Sequence, residues 1–230
     1  MGRRVVITGL GTVNPLGNSV KESWKGICAG RSGIARITKF DPAEFKTKIA
    51  GELKGFDPLN FMDSKECRRL DDFIIYALAS GEMAICDAGL VINSQNAERV
   101  GIILGSGIGG ISTIEKEKQV LLDAGARKIS PFTVPAALPN LAPGNLAIRC
   151  GAKGPISCVV TACSAGNNAI SDAYRTISHG YADAMITGGV EAAVSPLAIA
   201  GFNAMRAIST RNDEPEKASR PGSARLFGLI

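Results

Sequence analysis

Four short apolar segments of the chain end in glycines or other small residues and are followed by stretches with helical periodicity. They lie at residues 5–11, 100–110, 156–163 and 184–189. Within them, apolar residues follow one another without regular alternation with polar ones, which is typical of strands buried on both faces. The pattern predicts an α/β protein with a mixed, mostly buried sheet covered by helices.

Periodic apolar positions predict helices at residues 19–29, 64–88, 110–123, 140–149 and 165–180. Ser64 is a candidate N-cap, and Gly89 stands where a helix commonly ends. Residues 130–143 are rich in proline, and we expect an irregular loop there. No repeat or linker divides the chain, which favours one α/β unit.

The composition supports a compact protein. The chain has 230 residues, of which 45% are apolar and 20% charged, and it contains 27 glycines. This mixture argues against a disordered chain and against a disulfide-rich secreted scaffold. The formal net charge of +5 would suit an acidic partner, but the dense Lys/Arg runs of nucleic-acid-binding proteins are missing.

The cysteines indicate whether the chain binds a metal, and the first residues indicate its cellular location. Six cysteines are scattered without a CxxC pair and the chain has 1 histidine, so the sequence predicts no metal site. The apolar run at residues 5–7 is too short for a signal peptide or a membrane span. We therefore expect a cytoplasmic protein with reduced thiols and without a membrane partner.

Gly105, Gly107 and Gly110 form a GxGxxG pattern between a predicted strand and a predicted helix. In dinucleotide-binding folds such a loop binds a pyrophosphate, and an acidic residue after the second strand binds the ribose. Here the nearest candidate, Asp123, falls within the following predicted helix. Glycines that serve tight turns and close packing are the better interpretation.

Cys163 is the candidate nucleophile. It lies at a sharp turn between a predicted strand and a predicted helix, among small neighbours that would leave its side chain exposed, as at a nucleophile elbow. The positive end of the helix dipole and unpaired backbone N–H groups both favour the nucleophilic thiolate. On position alone a buried core cysteine is an equally open interpretation, and it is the preferred one for Cys158.

A cysteine that transfers acyl groups also needs a base and an oxyanion stabiliser. The histidine of this chain, His179, follows Cys163 by 16 residues, which is about 24 Å along a helix at about 1.5 Å per residue. We therefore expect His179 to interact with the C-terminal end of that helix and not with the thiol.

The segment 161–170, which reads TACSAGNNAI, resembles the active-site signature of the β-ketoacyl-acyl carrier protein synthases, and most closely the type II enzymes of dissociated bacterial fatty-acid synthesis. The resemblance extends to residues 4–11, 105–110, 127–132 and 207–212, and it covers about residues 3–221. Several matching blocks in the same order are far more specific than one cysteine motif.

The resemblance implies a thiolase-like fold, of which this chain is the N-terminal half, and a homodimer. It implies that an acyl group passes from the phosphopantetheine of an acyl carrier protein to Cys163. Malonyl carrier protein then loses carbon dioxide, and the resulting carbanion attacks the thioester. The backbone N–H of Cys163 would form part of the oxyanion hole. No cofactor of the chain's own is implied, because the phosphopantetheine is carried by the carrier protein.

The resemblance also assigns binding residues. Ile108 and Phe202 match positions that line the acyl tunnel, and either could equally serve core packing. A basic patch for the acidic carrier protein is implied, and each of its members taken singly could equally belong to a solvated basic face. The patch consists of Lys65, Arg68 and Arg69 on one helical face, extended by Arg127, Lys128 and Arg206.

The chain departs from the family pattern after residue 221. Family members continue further, and their catalytic histidines, lysine and gating phenylalanine belong to the second half. The last nine residues read GSARLFGLI. We interpret residues 1–221 as an N-terminal thiolase-like domain and residues 222–230 as an atypical tail, as from a premature or shifted reading frame.

Three hypotheses for the function remain. The first is a condensing enzyme. The second is an inactive fragment that binds carrier protein or a partner chain. The third is a nucleotide-dependent oxidoreductase that uses the GxGxxG segment. We adopt the first for the family.

Overall fold

The computed structural model describes residues 3–220 and confirms an α/β architecture. The helices are α1 (Val20–Cys28), α2 (Ser64–Cys67), α3 (Asp72–Asp87), α4 (Ile111–Ala124), α5 (Thr133–Ala137), α6 (Leu141–Cys150), α7 (Ala165–Ser178) and α8 (Pro196–Ala204). The strands are β1 (Ile34–Arg36), β2 (Ile49–Gly51), β3 (Val100–Gly105), β4 (Ile156–Val159) and β5 (Ala184–Gly189). The tail predicted at residues 222–230 lies outside the described residues.

Contacts between residues divide the chain into two compact units, whereas the sequence pattern favoured a single α/β unit. The first unit consists of Asp57–Ala192 and the described part of Met1–Thr12. The second consists of Val13–Phe56 and the described part of Ala193–Ile230. Because both units are discontinuous in sequence, neither a linker nor a change in composition marks their boundaries.

β3 is the central strand of the first unit. β4 and β5 flank it in parallel, so that Leu104 lies opposite Cys158 on one side and Gly188 on the other. Every residue of β3 is buried, and both α6 and α7 pack against it. The expected mixed sheet is thus parallel over these three strands. Complete burial holds for the central strand, whereas the edge strand β4 begins with the exposed Ile156.

The predicted bounds of α1, α4, α6 and α7 are confirmed to within two residues. The single helix predicted at residues 64–88 is wrong, because the chain turns between α2 and α3. Asp63 and not Ser64 caps α2. Asp71 caps α3 by accepting a hydrogen bond from the Phe73 N–H at 3.3 Å. Asp71 also accepts from the hydroxyl of Thr113 at 2.7 Å, which ties the new helix to α4.

Two other segments differ from their predicted structure. The segment 130–143 is not an irregular loop throughout, since it contains α5 and the beginning of α6. Its prolines Pro135 and Pro143 lie in first turns, where a missing N–H costs nothing. Residues 5–11 are not a strand, and they pair with none of the described strands. Gly11 instead lies against α3, where an added Cβ would meet the Ser80 carbonyl oxygen at 2.0 Å.

The second unit combines α1, α8 and an antiparallel hairpin in which Ala35 of β1 lies opposite Ala50 of β2. Its core contains the buried Ile37 and Ile199, and Phe40, Phe45, Val194 and Ile208 pack around them. The hydroxyl of Thr47 donates to the Ser209 carbonyl at 2.8 Å, and the Asn212 side-chain oxygen accepts from the Lys48 N–H at 2.8 Å. These bonds join the two separate segments of the unit.

Asp183, the residue directly before β5, forms ion pairs with two arginines. Its Oδ1 accepts hydrogen bonds from Arg3 Nη1 at 2.7 Å and from Arg99 Nη2 at 2.8 Å, and its N–H donates to the Arg99 carbonyl at 2.8 Å. The side-chain hydrogen bonds from Arg99 and then Arg3 lower the pKa of Asp183 to about 2. The carboxylate therefore stays charged in the folded protein at pH values where an unfolded chain would already be protonated.

We expect these ion pairs to contribute to acid sensitivity between about pH 4 and pH 2. A depressed carboxyl pKa contributes stability that is complete above the ordinary value of 3.8 and is lost as the pH falls through about 2. Asp183 is exposed, so solvent screening keeps the effect small. Thermal unfolding of an Asp183→Asn variant between about pH 5 and pH 2.5 should show a shallower fall of the midpoint with acid. An identical pH dependence in both chains would contradict this role.

Candidate active site

Cys163 lies on a sharp turn between a strand and a helix, as predicted. β4 ends at Val159, Ala162–Ser164 form a single turn of 3-10 helix, and α7 begins at Ala165. The Cys163 thiol is free and its residue is exposed. The described structure therefore favours the exposed nucleophile over the alternative of a buried core cysteine.

Ala162, immediately before the cysteine, has a left-handed backbone with a φ of 51°. This conformation costs an alanine about 1 kcal/mol or more, and it persists only where neighbouring contacts enforce it. Thr161 supplies two such contacts. Its carbonyl accepts from the Ser164 hydroxyl at 2.7 Å, and its own hydroxyl oxygen accepts from Asn168 Nδ2 at 3.0 Å.

Glycines at the strand ends let the first residues of α7 approach the sheet. A Cβ on Gly105, the last residue of β3, would lie 2.2 Å from the carbonyl carbon and oxygen of Ala165. A Cβ on Gly166 would lie 3.0 Å from the Cα of Gly189 in β5. The N-terminus of α7, with its partial positive charge, is therefore held directly beside the carboxyl ends of β3 and β5.

The glycine loop, which we define as residues 106–110, surrounds the carboxylate of Glu191. Oε2 accepts hydrogen bonds from the backbone N–H groups of Gly107 at 2.7 Å and Ile108 at 3.0 Å. Oε1 accepts from the N–H of Gly109 at 3.2 Å and from the Ser106 hydroxyl at 3.3 Å. The interpretation of these glycines as turn and packing residues is supported. The amides that would bind a dinucleotide phosphate in an oxidoreductase bind an internal carboxylate here.

Sequence reasoning missed Glu191. One signal could have found it, because the glycine loop follows β3 and Glu191 comes two residues after β5. The carboxyl ends of parallel strands meet at the same edge of a sheet, so an acidic residue after one strand can reach the loop after its neighbour.

His179 lies at the far end of α7, as predicted. It is the C-cap residue of the helix, and its ring Nδ1 lies 2.8 Å from the Arg175 carbonyl oxygen. Since α7 begins two residues after Cys163, the whole length of the helix separates the imidazole from the thiol.

Three of the other cysteines are less exposed than Cys163. Burial raises the pKa of the Cys67, Cys150 and Cys158 thiols, and the negative charge of Glu191 adds to the effect at Cys158. Cys158 is half-buried on β4. Among residues 3–220, no group of three or more His, Cys, Asp or Glu side chains is arranged to hold a metal ion.

The two residues assigned to an acyl tunnel lie in different units. Ile108 is exposed in the glycine loop, in the same unit as Cys163. Phe202 is half-buried in α8, in the second unit. Their role as tunnel residues stays a prediction.

The basic residues are exposed, but they do not form one helical face. Lys65 belongs to α2, which ends at Cys67, and Arg68 is its C-cap. The Arg69 guanidinium stacks on Phe132, 4.8 Å from the ring centroid. This contact brings Arg69 to the segment that follows Arg127 and Lys128, and Arg206 lies in the second unit.

No helix among residues 3–220 combines the length and apolarity needed to cross a bilayer.

Comparison with known families and proteins gives strong matches over nearly the whole chain. The sequence profile of the family "Beta-ketoacyl synthase, N-terminal domain" matches residues 2–225. The chain is 53% identical over 228 residues to the 3-oxoacyl-[acyl-carrier-protein] synthase 2 of Coxiella burnetii, and 49% identical to that of Synechocystis sp.. Each alignment covers 99% of this chain and 55% of the relative, so the chain spans about half the length of the curated relatives it matches.

Solved structures agree with these matches. A β-ketoacyl synthase from Burkholderia phymatum superposes with a TM-score of 0.86 at 32% identity, covering 100% of this chain and 56% of the other. A type II polyketide ketosynthase solved in complex with its acyl-carrier protein superposes with a TM-score of 0.77 at 27% identity, covering 91% of this chain and 58% of the other.

Proposed function

The chain belongs to the β-ketoacyl synthase family, and from this premise we propose that Cys163 is the acyl-accepting nucleophile of a condensing enzyme of fatty-acid synthesis. The observation that carries the proposal is the exposed thiol on a strained turn directly before α7. Relatives named 3-oxoacyl-[acyl-carrier-protein] synthase 2 support the same reaction.

In the first step, the Cys163 sulfur attacks the carbonyl carbon of an acyl thioester carried on the phosphopantetheine of a carrier protein. The bond from that carbon to the pantetheine sulfur breaks, and the departing sulfur takes up the proton that Cys163 has lost. Negative charge collects on the carbonyl oxygen during the attack. In this proposal the Cys163 N–H and the N-terminal dipole of α7 stabilise that charge. The chain itself needs no cofactor for this step, since the pantetheine arrives with the substrate.

The direct test is intact-mass spectrometry of the purified chain after incubation with long-chain acyl carrier protein. We expect a mass increase equal to one acyl group, located by proteolysis in the peptide that contains Cys163. Binding of carrier protein by a folded chain without any adduct would refute the acyl-transfer proposal and favour a fragment that only binds its partner. Binding of NAD(P) would instead favour the oxidoreductase hypothesis.

In the second step of the proposed reaction, malonyl carrier protein loses carbon dioxide, and the carbanion attacks the acyl-Cys163 thioester. The new carbon–carbon bond forms as the bond to the Cys163 sulfur breaks. Hydrogen-bond donors must stabilise the enolate that develops on the malonyl thioester. His179, the histidine of this chain, lies at the opposite end of α7 from Cys163 and cannot supply one.

We therefore expect the purified 230-residue chain to decarboxylate malonyl carrier protein very slowly. Removal of a single oxyanion donor typically lowers such rates by about 10²- to 10³-fold. Release of labelled carbon dioxide, compared with that from a full-length relative, measures the difference. Decarboxylation as fast as that of the relative would show that groups of this chain stabilise the enolate after all.

For the docking of the carrier protein, we propose Lys65, Arg68, Arg69, Arg127 and Lys128 of the first unit, whereas a part for Arg206 of the second unit stays a prediction. The family resemblance implies an acidic carrier protein as the partner. The solved complex of a similar ketosynthase with an acyl-carrier protein supports a partner of this kind. In the first unit the stacking of Arg69 on Phe132 joins the segment after α2 to the segment after Lys128. Exposed positive charges at these positions would steer an acidic protein toward the unit that contains Cys163.

Reversing the charge of Lys65 and Arg68 together should slow carrier-protein association by about 10-fold at low ionic strength, and much less at about 0.5 M salt. Arg69 is left intact because its stacking on Phe132 is structural. The double variant Lys21→Glu/Lys25→Glu, at exposed positions of α1, is the control with the same change in net charge. Stopped-flow measurements give the association rate of each variant. An equal fall in both rates would show that net charge, and not this patch, guides the partner.

We further propose a cytoplasmic homodimer. The cytoplasmic location is supported by the six cysteines, all of which are free, as expected in a reducing compartment. The homodimer is supported by the sheet. β4 is an edge strand of the described sheet. Its first residue, Ile156, and Val160, directly after its end, are apolar and exposed, as expected of a strand that a second copy could cover. Light scattering of the purified chain tests the dimer, and a monomer at all concentrations would contradict it.

A further inference from the structure

We propose that Glu191 is a positioning residue for Cys163, acting through the glycine loop at residues 106–110. The proposal rests on the proposed function only in taking Cys163 as the reacting group. Glu191 does not touch the thiol in this scheme. Its carboxylate fixes the loop that supports the strained turn before the cysteine.

The carboxylate is bound in the way that backbone loops bind anions. Three successive N–H groups, those of Gly107, Ile108 and Gly109, converge on its two oxygens at 2.7–3.2 Å. The buried Ser106 hydroxyl adds a fourth donor, and it also accepts from the Gly109 N–H at 3.2 Å. Convergent amides of this kind form a concave anion site, and an ionised acceptor strengthens each hydrogen bond.

Gly107 connects this anion site to the nucleophile turn. A Cβ on Gly107 would lie 3.0 Å from Glu191 Oε2 and 3.4 Å from the Cα and carbonyl carbon of Ala162. Gly107 thus lies against both the carboxylate and the residue that precedes Cys163, with no room for a side chain beside them. Because Ala162 keeps its φ of 51° only under external constraint, the loop that Glu191 immobilises is one source of that constraint.

The arrangement requires that both side-chain oxygens of residue 191 accept hydrogen bonds. A glutamine at this position would turn its NH₂ group toward backbone N–H donors and would lose at least one pair of bonds, although it has the same size. Glu191 as a whole residue is exposed. A small carboxylate from solution can therefore reach the same amides when the side chain is shortened to alanine.

The experiment measures the rate of Cys163 alkylation by iodoacetamide between about pH 6 and pH 9, followed by mass spectrometry of the peptide that contains Cys163. Glu191→Gln, Glu191→Ala and the unsubstituted chain are compared. Glu44→Gln, at an exposed glutamate of the second unit, is the matched control. The alanine variant is measured with sodium acetate and with sodium chloride at equal ionic strength.

We expect the glutamine and alanine variants to react roughly 10-fold more slowly, as loss of charge-assisted hydrogen bonds predicts. Acetate, but not chloride, should restore much of the rate of the alanine variant and leave the glutamine variant unchanged. The sign of the effect is informative. A direct charge effect would act in the opposite direction, because removing a nearby negative charge favours the thiolate and speeds alkylation.

Equal or faster alkylation in the variants overturns the proposal, as does a slow alanine variant on which acetate has no effect. If the variants fail to fold, amide hydrogen exchange measured on the unsubstituted chain tests the proposal instead. The N–H groups of Gly107, Ile108 and Gly109 must be protected, and rapid exchange at all three overturns the proposal as well. A chain that forms no acyl adduct but shows the expected alkylation pattern would refute the proposed function alone.

Discussion

Replacing Cys163 with alanine is expected to abolish acylation of the chain by acyl carrier protein, with a loss of about 10³-fold or more in the rate of adduct formation. The sulfur is the atom that bonds to the acyl carbon, and alanine offers no nucleophile in its place. Because Cys163 is exposed, the substitution removes little packing, and the thermal unfolding midpoint should stay unchanged.

Cys158→Ala is the matched control for this prediction. Cys158 is only five residues earlier, but it is half-buried on β4 and its pKa is raised by burial, so it is a poor nucleophile. Its variant should acylate at nearly the unsubstituted rate, and intact mass spectrometry of both variants makes the comparison. An adduct that survives in Cys163→Ala and disappears in Cys158→Ala would place the nucleophile on the strand.

Gly105→Ala is expected to destabilise the first unit severely, by about 3–5 kcal/mol in the free energy of unfolding. The new Cβ would lie 2.2 Å from the Ala165 carbonyl carbon and oxygen and 2.6 Å from the Gly166 nitrogen. All three are backbone atoms at the start of α7, which no side-chain rotation can move away. Since whole domains are stable by only about 5–15 kcal/mol, the substitution would remove a large fraction of the total stability.

Gly188→Ala tests whether the close approach, and not glycine itself, is responsible. Gly188 lies in β5, the strand next to β3, and a Cβ added there has no neighbour within 4 Å. Urea unfolding should therefore show a change of less than about 1 kcal/mol for this variant. An equally large loss in Gly188→Ala would mean that glycine itself is responsible, whereas a small loss in both variants would mean that α7 can move away from β3 at little cost.

Much of the local structure was predictable because its causes are local. The apolar periodicity of α1, α4, α6 and α7 and the sharp turn at Cys163 are each determined by residues close together in sequence. The position of His179 at the far end of α7 follows from helix geometry alone. The position of Cys163 at a strand-to-helix turn and the distance of His179 from it along the helix are therefore confirmed, whereas the role of Cys163 as nucleophile stays a prediction.

Predictions failed where a distant residue decides the conformation. After the turn between α2 and α3, Asp71 bonds not only to the nearby Phe73 N–H but also to Thr113 of α4, 42 residues away. Residues 5–11 have the composition of a strand, but they contact α3, because a strand forms only where a second backbone is free to pair with it. Arg69 leaves the predicted helical face to stack on Phe132.

The fold class, the family and the sharp turn at Cys163 were predictable from the amino-acid sequence alone, since short motifs and periodicity depend on neighbouring residues. Only the tertiary structure joined Thr47 and Lys48 to Ser209 and Asn212 in a discontinuous unit. Only the tertiary structure brought Glu191 to the glycine loop, 82–84 residues away. The physical reason is that parallel strands order their ends in space and not along the chain, so residues remote in sequence share one edge of the sheet.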